Sequence, residues 1–587
     1  MTFPPFGALP HAAGTRFRLW SPGARRVTLV LDGQEQDLVP QGDGRFEADV
    51  PGVGAGARYR YRLDGGDPFP DPASRFQPEG VHGPSEVVDP GAFAWSDGAW
   101  RGVERERLAF YELHVGTFTR EGTFDAARQR LADLRDLGVT AVELMPLADF
   151  PGRWNWGYDG AALYAPSRAY GRPDDLRAFV DEAHRLGLAV FLDVVYNHFG
   201  PDGAYAAAFM PVFTDKHHTP WGRAVNLDDV GSDGVRAFFL DNALHWLREY
   251  HVDGLRLDAT HALVDDSDPH FLMELADAVA ALDGPPRVLV AEDERNLNRL
   301  LRPRAEGGYG LDAVWADDLH HQLRNLTAGD AESYYAAFAG TTAADVARTL
   351  NQGWFYDGQT DPTTGRPRGT SADGVRPSQC VVCIQNHDQV GNRPAGNRLT
   401  DDVSEAEYRA ASALLLTAPE LPLLFMGQEW AASTPFQFFT DHNAELGRAV
   451  SAGRKAEFGD FLGFEGEVPD PQDEATFRRS RLDWAERERP GHAHTLALYR
   501  ALLALRSRLG GDVEAEAEGP RVVRLRRGAH TVLVAFGEAE AALPDGADVV
   551  LHTEEPAYAP DPEPPAFGGD RVRFARAGAV VLRQRGA

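Results

Sequence analysis

The chain has 587 residues, of which 43% are hydrophobic and 25% are charged, as in ordinary soluble globular proteins. A chain of this length is too long for one hydrophobic core, so two to four domains are expected. Its 59 basic and 88 acidic residues give a net charge of −29, which disfavours nucleic acid or an anionic membrane as a partner.

Targeting and membrane signals are also absent from the sequence pattern. Residues 1–15 contain prolines and lack a basic start followed by an apolar run, so no secretory signal is predicted. The longest apolar stretch, 414–426, is interrupted by two prolines and a glutamate, which argues against a membrane span. Cys380 and Cys383, the only cysteines, lie in a predicted strand and point to opposite faces. We predict a structural role for them and, without a disulfide framework, a cytoplasmic location.

The first 90 residues form the first predicted domain. Residues 16–19 and 58–63 alternate arginine with large apolar side chains, which is the period-two pattern of antiparallel strands. A stretch rich in proline and glycine, 67–90, links these strands to the rest of the chain. The pattern predicts a β-sandwich over residues 1–90, with a mainly packing role.

Apolar strands alternate with helical segments over residues 91–510. Strands are predicted near 108–114, 139–145, 188–194, 254–258, 288–292, 311–315, 381–385 and 421–427, and helices near 126–137, 173–186, 235–250, 270–282, 405–417 and 495–509. Continuous apolar runs of this length are typical of strands buried on both faces of a parallel sheet. From residue 511 to 587, short strand patterns return and predict a C-terminal all-β domain.

Polar side chains follow four of the central strands where each strand ends. They occur in 193–198 (DVVYNH), 254–261 (GLRLDATH), 292–294 (EDE) and 386–388 (NHD). Arg256 and Asp258 share one face of their strand, and we expect the cation to lower the pKa of the carboxylate and keep it ionised. An ionised carboxylate fixed at a strand end can act as a nucleophile. Because (β/α)8 barrels build active sites at the carboxyl ends of their strands, the four ends predict an active site.

These four runs resemble the four conserved regions of the α-amylase family of glycoside hydrolases, over the whole central part of the chain. The resemblance implies an α/β fold with a central (β/α)8 barrel, and retaining cleavage of α-glucosidic bonds. Three further stretches, 385–393 (QNHDQVGNR), 426–430 (MGQEW) and 435–442 (PFQFFTDH), are most similar to a trehalose-releasing branch of that family. That branch implies maltooligosyltrehalose and related α-glucans as substrates, cleavage of the α-1,4 bond next to the terminal trehalose, no cofactor, and functional pairing with a maltooligosyltrehalose synthase.

The catalytic roles are predicted for three acids. Retaining hydrolysis needs two carboxyl groups about 5–5.5 Å apart, one as nucleophile and one as proton donor. We expect Asp258 to be the nucleophile and Glu292 the general acid/base, because partial desolvation at the end of an apolar strand raises a carboxyl pKa. The resemblance makes Asp388 the third acid, which holds sugar hydroxyls and favours a distorted ring.

The resemblance also assigns the residues around these acids. His198 and His387 are expected to hydrogen-bond one sugar, and Tyr158 to cover its apolar face. Asp193 is expected to orient Arg256, and Asn197 to fix the strand-end loop. The predicted substrate-binding residues are Arg256, His198, His387, Tyr158, Asp293 and Gln389, and the predicted supporting residues are Asp193, Asn197 and His261.

Selectivity for a terminal trehalose is expected on the acceptor side, because the scissile α-1,4 bond is the same in a plain maltooligosaccharide. The loops beyond Glu292 and Asp388 are predicted to hold the two trehalose glucoses. Their candidate hydrogen-bonding residues are Asp293, Glu294 and Asn296 on one loop, and Gln389 and Asn392 on the other. Buried polar groups that the wrong substrate leaves unpaired reject that substrate strongly. The possible aromatic platforms for further sugars are Trp154, Trp156, Trp221, Trp315 and Trp430.

No metal site is predicted. The insert at about 199–233 is short and has no run spaced like a calcium loop. Residues 265–268 are acidic, and we interpret them as a helix entry with Asp268 as the cap and Pro269 at the first helical position.

Three other functions stay open at this point. A glucan branching enzyme of the same family transfers the glycosyl group to a sugar instead of water, and a debranching hydrolase cuts α-1,6 bonds. Non-catalytic binding or transport subunits with a similar barrel usually lack one or more of the carboxylates, whereas this chain keeps all three.

Overall fold

The computed structural model describes residues 5–459 and 468–585. Its centre is a closed barrel of eight parallel strands, each paired with the next in chain order and the last with the first. These strands, β1 to β8, are Phe110–Leu113, Ala141–Leu144, Ala189–Val194, Gly254–Leu257, Val288–Glu292, Ala313–Trp315, Cys380–Cys383 and Leu421–Phe425. The predicted (β/α)8 barrel is confirmed. The prediction about a secretory signal concerns residues 1–15, and the first four of these lie outside the described residues.

Alternation along the strands separates the barrel interior from the layer of helices. Phe110, Phe191 and Val290 pack with one another inside the barrel, whereas their strand neighbours pack against the helices. Cys383 belongs to the interior cluster and Cys380 to the outer one, and both are buried free thiols. The prediction that these thiols point to opposite faces is therefore confirmed.

Helices cover the outside of the barrel. The longer ones are Pro173–Arg185, Ser232–Glu249, Phe271–Ala280, Asp318–Thr327, Ala343–Gln352, Glu405–Thr417, Ala444–Gly459 and Pro490–Arg506. Shorter helices also occur, some of them in loops such as the one after β7: Val115–Phe118, Phe124–Arg128, Leu131–Leu137, Ala206–Phe209, His387–Gly391 and Glu474–Arg479. Among the described residues, no helix combines the length and apolar character needed to cross a membrane.

Two helix predictions need correction. The predicted helix at 126–137 is two short helices, because the backbone at Arg130 leaves ideal helical geometry between them. The predicted cap at Asp268 is wrong, since the helix begins at Phe271 and His270 is its cap. Asp265 accepts a hydrogen bond from the Phe271 backbone N–H at 2.6 Å, so the acidic run still supports the helix entry.

A β-sandwich precedes the barrel. One sheet contains Gly7–His11, Gly14–Trp20, Arg45–Pro51 and Val39–Gly42, and the other contains Gln34–Asp37, Val27–Leu31, Arg58–Leu63, Pro68–Phe69 and Ser85–Glu86. Phe17, Tyr59 and Tyr61 lie in the core between the sheets, as the alternating pattern predicts. The sandwich contacts the barrel through an ion pair of 2.6 Å between Arg75 and Glu249.

The C-terminal domain is all-β, as predicted. Its five-stranded sheet contains Val513–Ala517, Val522–Arg527, His530–Ala535, Gly578–Gln584 and Ala547–His552, and its three-stranded sheet contains Ala539–Ala542, Arg571–Phe574 and Ala566–Gly568. A buried ion pair of 2.6 Å joins Glu554 of this domain to Arg409 of a barrel helix. The domain boundaries at residues 90 and 510 stay a prediction.

Candidate active site

The carboxyl ends of β3, β4 and β5 bring three acidic side chains onto one arginine. Arg256 is fully buried, and its Nη1 donates to Asp193 Oδ2 at 2.8 Å and to Asp258 Oδ1 at 2.7 Å. Its Nη2 lies 3.0 Å from Glu292 Oε2. The flat guanidinium thus contacts three carboxylates at once through two of its nitrogens. A lysine has only one nitrogen, so it cannot offer the same directed contacts.

The local sequence explains why Arg256 reaches this position. Its two leucine neighbours in β4 pack outwards, so the arginine points into the barrel. Gly254 precedes it because a Cβ there would lie 2.2 Å from Cε1 of Phe191 and 2.4 Å from the Val288 carbonyl oxygen. Trp315 covers one face of the guanidinium, with 4.3 Å between the ring centroid and Arg256 Cζ.

Asp258 and Glu292 lie beside the two terminal nitrogens of the same guanidinium, an adjacency that suits the close carboxyl pair of a retaining glycosidase. Burial raises the pKa of Asp258 to about 6 and that of Glu292 to about 7, although Arg256 opposes both shifts. The structure therefore differs from the prediction that Arg256 lowers the Asp258 pKa, because desolvation outweighs the attraction. The carboxyl of Glu292 is therefore the more readily protonated of the two.

A second group of polar side chains follows β7. Asp388 Oδ1 accepts a hydrogen bond from Asn392 at 3.1 Å, and its Oδ2 lies 3.3 Å from His387 Nε2. The Tyr158 hydroxyl donates to Asp193 at 2.6 Å and lies 2.7 Å from His387 Nε2. The Tyr158 and His387 rings stack with 5.2 Å between their centroids. One hydrogen-bonded network therefore connects this group to Arg256 through Asp193.

The insert after β3 adds an exposed aromatic ring. Its hairpin, Phe213–Thr219 and Gly222–Val225, carries Trp221 at the turn. The Trp221 ring is 49% exposed and lies parallel to the ring of His198, with 5.2 Å between centroids. His198 Nε2 lies 2.9 Å from the Tyr158 carbonyl oxygen, and the His261 ring lies tilted to that of Trp221, with 6.4 Å between centroids. The remaining tryptophan candidates are at most 4% exposed and cannot offer a ring face to sugar: Trp154, Trp156, Trp315 and Trp430.

Two polar residues differ from their predicted positions, and a third lacks the contacts expected of it. Asp293 is 1% exposed, and its carboxylate accepts hydrogen bonds from Arg295, so it stabilises its own loop. Asn296 is also buried and donates to Asp318 at 2.8 Å. The Asn197 side chain is buried and makes no hydrogen bond to any described residue, which does not support a role in fixing the loop. Strand-end sequence cannot reveal such inward turns, because irregular backbone has no fixed side-chain period. Glu294 and Asn392 are exposed and Gln389 is half-buried.

Sequence reasoning missed three acids of this region. Glu112 in β1 and Glu143 in β2 are opposite each other in register, and each is 1% exposed. Asp317 follows β6, and burial, with further contributions from Glu292 and Asp388, raises its pKa to about 7. A signal for the first two was available, since each is a lone acid inside a short apolar strand.

One other group of acidic and imidazole side chains in the described ranges has a spacing that suits a metal ion. It comprises His217, Asp228 and Asp266 in and near the insert. Lys216 Nζ lies 2.7 Å from Asp228 Oδ2 and 3.3 Å from Asp266 Oδ2, so a cation of the chain itself already pairs with both acids and offsets part of their charge.

Comparisons with known proteins identify the family and the fold. The chain matches the model of the alpha amylase catalytic domain over residues 88–216, and that of carbohydrate-binding module 48 (isoamylase N-terminal domain) over residues 5–90. A Deinococcus radiodurans protein named malto-oligosyltrehalose trehalohydrolase is 54% identical, over 85% of this chain and 82% of that protein. A Rhizobium sp. protein of the same name is 43% identical, over 94% of this chain and 96% of its own. The crystal structure of a putative alpha amylase from Salmonella typhimurium has a TM-score of 0.90 and 40% identity, over 99% of each chain.

Proposed function

The chain belongs to the malto-oligosyltrehalose trehalohydrolases of the α-amylase family, and we propose on this basis that it releases trehalose from maltooligosyltrehalose. The bond cut is the α-1,4-glucosidic bond next to the terminal trehalose, and the configuration at the cleaved carbon is retained. The observation that supports this chemistry is that Asp258 and Glu292 both contact the buried guanidinium of Arg256.

In the proposed first step, Asp258 attacks the anomeric carbon of the sugar at the cleavage point. Its Oδ1 is bonded to Arg256, whereas Oδ2 accepts no hydrogen bond from any described residue and is the oxygen available for attack. Glu292, with a pKa near 7, gives its proton to the glycosidic oxygen, so that trehalose leaves as a neutral molecule. The product of this step is a covalent glycosyl–Asp258 ester.

In the second step, water replaces Asp258. The ionised Glu292 takes a proton from water, whose oxygen bonds to the anomeric carbon while the bond to Asp258 breaks. Asp258 regains its carboxylate and Glu292 its proton. The shortened maltooligosaccharide leaves with an α-configured reducing end.

The sugar at the cleavage point is bound, in this proposal, by Asp388, His387 and His198, with Tyr158 against its apolar face. The contact of Tyr158 with both His387 and Asp193 supports this arrangement, because it fixes the ring beside the catalytic acids. The exposed ring of Trp221 serves as a platform for an adjoining sugar.

Trehalose selectivity is assigned to the rim of the site. Asp293 and Asn296 are excluded because their side chains turn inwards. The remaining polar candidates for binding trehalose are Glu294, Gln389 and Asn392. Asn392 already contacts Asp388, so a glucose that it binds also lies beside the third acid. The proposed setting is the cytoplasm, where a maltooligosyltrehalose synthase supplies the substrate.

Three substrates test the proposal. The purified protein is incubated with maltooligosyltrehalose, with amylose and with pullulan, and the products are identified by chromatography. Free trehalose from the first, with little change in the other two, is the expected result. New α-1,6 branches on amylose support a branching enzyme instead, and rapid cleavage of pullulan supports a debranching hydrolase.

A further inference from the structure

Glu112 makes a two-point contact with His387 deep in the barrel. One carboxylate oxygen of Glu112 bonds the His387 ring at Nδ1, and the other accepts the His387 backbone N–H at 2.9 Å. Each residue is 1% exposed. Two bonds from one carboxylate to the ring and the backbone of the same residue fix both the position and the tilt of the imidazole.

The directions of the hydrogen bonds determine which protons His387 carries. The Tyr158 hydroxyl has one proton, and it donates that proton to Asp193 Oδ2 at 2.6 Å. Its contact with His387 Nε2 at 2.7 Å therefore requires that Nε2 carries a hydrogen and donates it. Nδ1 faces the Glu112 carboxylate, which can only accept. Both ring nitrogens thus donate, and His387 is an imidazolium.

The titratable groups around His387, charged and neutral, agree with this state. Those that act on it are Glu112 of β1, Glu143 of β2, Tyr158, Asp193 of β3, Arg256 of β4, Asp388 and the neutral His114. Although burial opposes the charge, Asp388 and Glu112 raise the pKa of His387 to about 10. Glu112 is the only member of this set that bonds Nδ1 in the described structure.

We propose that Glu112 is a positioning residue that keeps His387 doubly protonated, with an Nε2–H that passes from the Tyr158 oxygen to a hydroxyl of the sugar next to the cleaved bond when substrate binds. The inference rests on the proposed function only for the location of that sugar. An imidazolium is a stronger donor to a sugar hydroxyl than a neutral ring, and it also balances part of the negative charge of Asp388. Glu112 acts through His387 and need not touch substrate.

Glu143 provides a matched control on the neighbouring strand. It is opposite Glu112 in register, equally buried, and neither of its carboxyl oxygens bonds a described residue. Burial, reinforced by Glu112, raises the pKa of Glu143 well above its ordinary value, so its carboxyl is neutral. Replacement by glutamine at this position exchanges one neutral group for another of the same shape.

The test measures sugar binding in a background that cannot hydrolyse. Glu292→Gln removes turnover and the titration of Glu292, and calorimetry then gives the affinity for maltopentaose from about pH 5.5 to pH 9. Maltopentaose is chosen because its sugars occupy the donor side in every competing glucan-active function. A failure of the trehalose assignment in the product analysis therefore leaves this test intact.

In that background Glu112→Gln is expected to weaken binding about tenfold or more near pH 8 and much less near pH 5.5, because His387 now loses its proton in the neutral range. Glu143→Gln is expected to change the affinity less than about twofold at every pH. Glu112→Asp keeps the carboxylate on a side chain that is one methylene shorter. This variant is expected to restore the affinity near pH 8.

Three results overturn the inference. One is a loss in Glu112→Gln that is equal at all pH values, which indicates a structural role. Another is the same pH-dependent loss in Glu143→Gln. The third is a Glu112→Asp variant that folds, as judged by circular dichroism, but loses affinity with rising pH. This last result overturns the inference even if Glu112→Gln does not fold.

Discussion

At the scale of single residues, Arg256 is the group on which the site depends. It is the cation closest to three carboxylates at the ends of β3 to β5, and it is fully buried. A buried cation is tolerated only where paired acids offset its desolvation, and two of these acids, Asp258 and Glu292, are also the proposed reactive groups. In the proposed mechanism the same residues thus stabilise the barrel end and supply the chemistry.

The two central carboxyl groups are expected to be indispensable. Asp258→Asn removes the nucleophile and Glu292→Gln removes the proton donor, so each is expected to lower kcat by several orders of magnitude. The amides keep the shape of the side chains, and circular dichroism and thermal unfolding serve as controls for the fold. Near wild-type turnover by either folded variant would rule out the role assigned to that residue.

The pH dependence follows from the same pair. Asp258 must be ionised, so kcat/KM rises as the pH increases through its pKa of about 6. Glu292 must be protonated, so kcat/KM falls as the pH increases through about 7. The expected profile is a narrow bell whose two limbs belong to the interacting pair. A rate that stays constant from about pH 7 to pH 9 contradicts the assignment of Glu292 as the acid.

At the scale of elements, the barrel strands were the most predictable part of the chain. Each is a largely apolar run, and the proposed reactive residues Asp258, Glu292 and Asp388 lie at or just after strand ends that the sequence marks clearly. The helices Asp318–Thr327 and Ala343–Gln352 were not predicted. The first buries polar and charged side chains such as Asp318, His320 and Arg324, so no apolar pattern marks it, whereas the second does carry a buried apolar face of helical spacing.

Loop residues were predicted less well, and for a physical reason. Asp293 and Asn296 follow a strand end as Glu292 does, but their side chains turn inwards to Arg295 and Asp318. The direction of a loop side chain depends on tertiary partners far along the chain, which no local pattern encodes. Glu112 was missed for the related reason that its partner, His387, lies 275 residues away.

The hairpin of the insert gives a prediction at this scale. Trp221→Ala removes the exposed ring beside His198, and we expect KM for maltooligosyltrehalose to rise about tenfold with a smaller change in kcat, because a stacked sugar loses its platform. Val230→Ala is the control, since Val230 belongs to the same insert and is 88% exposed. If both variants behave alike, or if only kcat changes for Trp221→Ala, the platform role fails.

At the scale of the whole molecule, one partly buried and one fully buried ion pair join the outer domains to the barrel. Arg75 joins the N-terminal sandwich to Glu249, and Glu554 joins the C-terminal domain to Arg409. Arg409 and Glu554 have side chains that are each 4% exposed, and Arg576 also contacts Glu554. A polar link of this kind determines one docking position, because any shift leaves a charge buried without a partner.

Glu554→Gln tests the contribution of the C-terminal link to stability. The change leaves the Arg409 charge without its buried partner and is expected to cost about 3–5 kcal/mol in the free energy of unfolding, measured in urea. Glu514→Gln is the control, since Glu514 forms an exposed pair with Arg526 in the same domain and is expected to cost less than about 1 kcal/mol. Equal losses in the two variants, or a lowered kcat in folded Glu554→Gln, contradict a purely structural role.

The most direct test of the account is a proton NMR time course of maltooligosyltrehalose hydrolysis by the wild-type protein. The anomeric signals report the bond that is cut and the configuration of the new reducing end in one experiment. The account predicts free trehalose together with a shortened maltooligosaccharide that appears first as its α anomer. A β anomer that appears first contradicts the retaining roles of Asp258 and Glu292, and glucose or maltose in place of trehalose contradicts the assigned bond.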